Sequence, residues 1–152
     1  MKSLLTFFCV TILSTKCVSN KLDKQSNNDN RKVVMVYKYY TSGFYREYHV
    51  QQNKLKTFLD YAKSKFTYRE VTPIDWAKAL DILNEIDFKE FENLEAPSND
   101  RHTDQVQHGE LTIKINTSTF RSRSFDHGNP PDQIKALVTH LLYMSEDDAI
   151  QK

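Results

Sequence analysis

The sequence predicts an α+β fold: an antiparallel sheet of about six strands, in the order ββββ-α-ββ-α, with two helices packed on one face. Three observations predict it. Residues 33–71 and 110–125 are rich in β-branched and aromatic side chains that alternate in polarity with a period of two. Residues 73–86 and 132–145 switch to the 3.6-residue period of an amphipathic helix. Most connections are short, and the alternation is one-sided, which favours antiparallel neighbours with a covered face and an open one.

The first strand, "VVMVYKYYT" (33–41), starts apolar on both faces, as a central strand does. Ser42-Gly43 turns the chain into "FYREYHVQ" (44–51), with Gly43 free to take positive φ. There Phe44, Tyr48 and Val50 share one face, with Arg46 as the exception, while Tyr45, Glu47, His49 and Gln51 share the other. After the turn "QQN", Lys54 to Tyr61 alternate, with Leu55, Leu59 and Tyr61 on one side; "AKSK" turns again, and "FTYREV" is a fourth strand.

Thr72-Pro73-Ile74-Asp75 then opens a helix: threonine caps, proline suits the first turn, and the acid favours the positive end. Its buried stripe is Trp76, Ala79, Leu80, Leu83 and Ile86. In the long connection that follows, Phe88, Phe91 and Leu94 are the anchors. "ELTIKIN" points Leu111, Ile113 and Ile115 inward, "NTST" turns, and "FRSRSF" places Arg121 and Arg123 on one face. The second helix buries Ile134, Leu137, Val138, Leu141 and Leu142.

The folded domain is expected over residues 33–145, between an export signal at 1–19 with a polar linker at 20–32 and a polar tail at 146–152. Lys2 followed by an apolar run of ten residues, Leu4 to Leu13, interrupted only by Thr6 and Thr11, is too short for a span of ~20 apolar residues and has the layout of a signal peptide. Two processing routes are open. Cleavage after Ser19 removes both cysteines, Cys9 and Cys17. Lipoprotein processing instead leaves Cys17 acylated at the head of an asparagine-rich tether, although Ser14 and Lys16 depart from the usual lipobox residues. Either way the domain has no cysteine pair and relies on its core.

Residues 1–19 hold Lys2 and Lys16 and no acid, so of 21 basic and 20 acidic residues the remainder keeps 19 against 20. Near-neutrality argues against nucleic acid as the partner.

The stretches "IDWAKALDILNEIDFKEFENLEAPSNDR" and "SFDHGNPPDQIKALV", with a β-rich segment before the first and "LTIKIN" between them, resemble an uncharacterised family of small exported proteins and lipoproteins of Bacteroidetes-type bacteria. The resemblance covers most of the chain after the signal and implies no activity. It departs in the loop after Asp104, where Gln105-Val106-Gln107-His108 stand in place of small residues. In layout alone, hairpin first and proline-containing helix last, the chain is similar to emfourin-type protease inhibitors.

Five histidines offer chemistry: His49, His102, His108, His127 and His140. None pairs at the i, i+2 or i, i+4 spacing that fixes two metal ligands on one element, and no cofactor or metal is expected. A nucleophile elbow and a phosphate-binding loop both need glycines that the chain lacks. What remains is a surface. The uncovered sheet face is expected to show Lys54, Lys56, Arg69, Lys114, Arg121 and Arg123, a basic face for an acidic protein, glycan or lipid headgroup. At the second corner, Gly128 bends the chain, Asn129 caps the helix, Pro130 and Pro131 fill its first turn, and Asp126 and His127 hold the corner by hydrogen bonds.

The expectation is an exported, monomeric, non-enzymatic domain that binds a protein or cell-envelope component, as an inhibitor or immunity factor does, touching membrane only through a lipid anchor. The alternative is an envelope hydrolase or metal-dependent enzyme built on the 100–108 loop (Asp100, His102, Asp104, His108) and His127.

Overall fold

The computed structural model describes residues 31–103 and 106–145. The signal at 1–19, Cys17, most of the linker, Asp104 and the tail at 146–152 lie outside the described residues. The expected fold is present: a mixed α+β domain with an antiparallel sheet and two helices in the order ββββ-α-ββ-α, plus one further short strand. The strands are β1 (Val33–Thr41), β2 (Phe44–Gln51), β3 (Lys54–Phe58), β4 (Phe66–Arg69), β5 (His108–Ile115), β6 (Ser118–Arg121) and β7 (Phe125–Asp126). They lie in the order β4-β3-β2-β1-β5-β6, with β7 pairing to β5 beyond the end of β6. The helices are α1 (Pro73–Asn84) and α2 (Asp132–Ser145).

β1 is central, as its two apolar faces require. Its register brings Met35 level with Val50 and Ile113, and Tyr37 level with Tyr48 and Leu111. These side chains meet Ala79 and Leu83 of α1 and Ile134, Leu137 and Leu141 of α2 in one core. Each fully buried Leu, Ile or Phe there contributes about 1.5–3 kcal/mol. α1 is capped as expected: the Asp75 N–H donates to Thr72 Oγ1 at 3.1 Å, and the Thr72 hydroxyl donates to the Asp75 carboxylate at 2.7 Å. The two helices are tied by His140, buried on α2, whose Nε2 donates to the Asp75 carbonyl at 2.9 Å.

Five expectations need correction. Tyr61 does not share a side with Leu55, because β3 ends at Phe58 and alternation stops there. The chain folds back, and Tyr61 packs on Tyr45 and donates to the Thr41 carbonyl on the face away from the helices. Arg69 lies on the helix face, since it stands opposite Leu55; its Nη1 reaches the Met144 carbonyl at 3.4 Å, in the last turn of α2. Arg121 and Arg123 do not share a strand face, because β6 stops at Arg121. Ser122 breaks the ladder there, its hydroxyl accepting the Leu111 N–H at 3.0 Å. Asn129 does not cap α2, and Pro130 and Pro131 do not fill its first turn but precede it, because the helix begins at Asp132. The Asn129 amide instead donates to Ser98 Oγ at 2.7 Å. Gly128 does bend the corner, at φ 92°.

Candidate functional site

The sheet face opposite the helices is built by register. One row across it reads Tyr68, Lys56, His49, Val36, Thr112, Arg121. The next reads Phe66, Phe58, Glu47, Lys38, Glu110. Lys114 stands two residues from Thr112 on the same face. The β3–β4 connection folds over part of this surface. Asp60 accepts the Ser64 N–H at 2.8 Å and the Lys65 N–H at 3.1 Å, which closes the turn, and Lys63 sits in it at φ 54°. That turn carries the Lys63 ammonium to 2.7 Å from Glu47 Oε1.

Between this connection and β5–β6 is an open cleft of about 270 Å³. Val36, Tyr45 and Glu47 form its floor, and Lys38, His49, Lys63, Thr112, Lys114 and Arg121 line the rest. Glu47 is only 4% exposed. Burial alone raises its pKa, but donation from His49, Lys63 and Tyr45 outweighs burial and holds the carboxyl down at about 2. The floor charge is therefore fixed and internally neutralised by Lys63. Lys38 is engaged by Glu110 at 3.1 Å, and Glu110 also accepts from the Tyr40 hydroxyl at 2.7 Å. Burial and that hydrogen bond push the Tyr40 phenol up to about 12. Lys114 and Arg121 are exposed and have no carboxylate partner among the described residues, so the unbalanced charge of the cleft is positive.

The second corner is a closed hydrogen-bonded node. Asp126, 2% exposed, accepts from Ser98 Oγ (2.5 Å), the Asp100 N–H (2.8 Å), and both the N–H and Nη1 of Arg101 (3.0 Å each). Burial opposes its charge, but these donors outweigh burial and hold the carboxyl well below the usual range. His127 stacks on Tyr39 with centroids 3.9 Å apart, and its Nδ1 lies 2.7 Å from the Tyr37 hydroxyl. Burial lowers the imidazole pKa and raises that of the phenol, and the two rings share this one hydrogen bond.

The fold separates the residues of the catalytic alternative. His108 stacks on Tyr40 and His127 on Tyr39, neighbours on β1 whose side chains leave opposite faces of the sheet. His102 stays near His108, with ring centroids 6.3 Å apart, but among the described residues no three His, Cys, Asp or Glu side chains converge as a metal site.

Of the six basic residues expected on the open face, Lys54, Lys56, Lys114 and Arg121 are there. Arg69 is on the other face, and Arg123 lines a separate cleft with Arg101, Glu95 and Asn99. Sequence reasoning missed Lys38, Glu47, His49 and Lys63. The available signal was the acid in "YREYH", placed on the same face as its histidine and a tyrosine. No protein-family model matches this chain, and no curated protein matches it significantly.

Proposed function

We propose that this protein is an exported, non-enzymatic binding domain that takes an acidic protein or cell-envelope component on the open face of its sheet. The observation that carries the reading is the cleft in which Lys114 and Arg121 have no carboxylate partner among the described residues, while Glu47, the buried carboxylate of the same cleft, is already neutralised by Lys63. A solvated face that only keeps a sheet from associating has no need of a recessed, fully hydrogen-bonded carboxylate at its centre. Such a carboxylate fixes the positions of Tyr45, His49 and Lys63 before a ligand arrives, which lowers the ordering cost of binding. Cations with no internal partner are those an incoming anion engages at the least cost.

The test is binding of the tagged full chain to the envelope fraction of its source cells, followed as salt is raised. Wild type is expected to bind and to lose affinity with salt. Lys114→Glu with Arg121→Glu is expected to weaken binding about tenfold or more while the melting temperature holds. Capture that is indifferent to both salt and charge reversal contradicts the reading.

A further inference from the structure

The open face ends at β4, whose outer edge pairs with no strand among the described residues. The direction of its free backbone groups follows from the ladder. The Leu59 N–H donates to the Lys65 carbonyl at 3.0 Å, which makes Leu59–Lys65 a hydrogen-bonded pair. Alternation then makes Thr57–Thr67 and Leu55–Arg69 the next bonded pairs. The N–H and C=O groups of Phe66 and Tyr68 therefore point away from the sheet. Four uninterrupted pairs leave no bulge in β4, and it contains no proline, two of the usual devices that blunt an edge. At the other margin, Phe120 of β6 is covered by Phe88 and Phe91.

The side chains along this edge have a definite chemistry. Phe66 and Tyr68 are 46% and 54% exposed. Lys56 Nζ lies 4.0 Å over the Phe66 ring and Lys54 Nζ 4.0 Å over the Tyr68 ring. Neither ammonium has a carboxylate partner among the described residues. The rings hold two cations at the margin of the sheet, on the same face as the cleft.

We propose that the outer edge of β4 receives an extended acidic peptide segment as an added strand, an inference that rests on the open face being a surface for acidic partners. Backbone bonds form to Phe66 and Tyr68, and partner residues directly opposite those two place their side chains on the open face beside Lys54 and Lys56. Acidic residues at alternate positions complete the match, while the residues between them point to the helix side next to Thr67. A second copy of β4 is a poor occupant, because antiparallel pairing of two copies brings all four lysines onto one face.

The probe is an end-blocked, fluorescent peptide of alternating valine and glutamate, about eight residues long to match a strand, titrated against the full chain by anisotropy. Binding is expected, weakened about tenfold by Lys54→Glu with Lys56→Glu. N-methylation at the glutamates, whose N–H groups face β4, should weaken it about tenfold. N-methylation at the valines, whose N–H groups face away, should leave it within about twofold. A peptide with lysine in place of glutamate should not bind. Equal loss from the two methylation patterns, or no loss in the lysine variant, overturns the proposal. So does absence of binding at about 1 mM. If the peptide is instead released only by Lys114→Glu with Arg121→Glu, the edge proposal falls and the reading of the face stands. If envelope capture is also indifferent to charge, both fall.

Discussion

Asp126 is where one side chain decides most. Its carboxylate satisfies two backbone N–H groups, the Ser98 hydroxyl and the Arg101 guanidinium at once, so removing it strands a buried cation and unties residues 98–101 from β7. Asp126→Ala should cost about 3–5 kcal/mol in urea unfolding. The sign of the pH dependence follows from its lowered pKa. The unfolded state takes up the proton first as pH falls, so Asp126 stabilises the fold fully above the unfolded value of about 4 and loses that contribution toward lower pH. Glu47 behaves the same way, its contribution disappearing between about 4.3 and about 2. His127 also has a lowered pKa: its contribution is complete above about 6.5 and lost as pH falls below that. His127→Ala should lower the melting temperature, at a cost of about 1–2 kcal/mol. It should also reduce the loss of stability seen as pH falls below about 6.5 in wild type. Unchanged stability with altered binding would instead place His127 in a functional role.

Among the elements, β5 carries the tightest constraint. At Gly109 an added Cβ would lie 2.7 Å from the Phe125 ring and 3.1 Å from the Tyr37 hydroxyl. The glycine is there so that β7 can close over β5, and Gly109→Ala should destabilise by about 1–3 kcal/mol in the same assay. That constraint was not legible beforehand, because nothing in "QHGEL" says which ring will cross it. The elements themselves were legible where the period persists over a full face, as in α1, α2 and the hairpin of β1 and β2. Reading failed where strands stop. Tyr61 and Arg123 were placed by continuing an alternation past Phe58 and Arg121, and the polarity pattern does not mark where a ladder ends. Arg69 was misplaced because its face depends on the register across the 59–65 turn. Asn129 was assigned by local capping preference, while Ser98, far away in sequence, takes its amide.

At the scale of the whole molecule, the sequence pattern identified an uncovered basic face and named Lys54, Lys56, Lys114 and Arg121 within it. It did not reveal the centre of that face. Lys38, Glu47 and Lys63 come from two strands and a loop, and their convergence needs both the register of β1 on β2 and the fold-back of the β3–β4 connection. The resulting surface presents exposed aromatic rings with cations at one margin and a positive cleft at the other, opposite a helical layer that carries its own exposed charges.

The most direct measurement compares two charge reversals of equal size on opposite sides of the domain, in salt-titrated binding to the envelope fraction. Lys114→Glu with Arg121→Glu changes the cleft, and Lys78→Glu with Lys135→Glu changes exposed positions on α1 and α2. About tenfold or greater loss is expected from the first pair and a change of less than about twofold from the second, with both variants folded. Equal losses from the two pairs, or loss from the helix pair alone, would contradict binding through the open face.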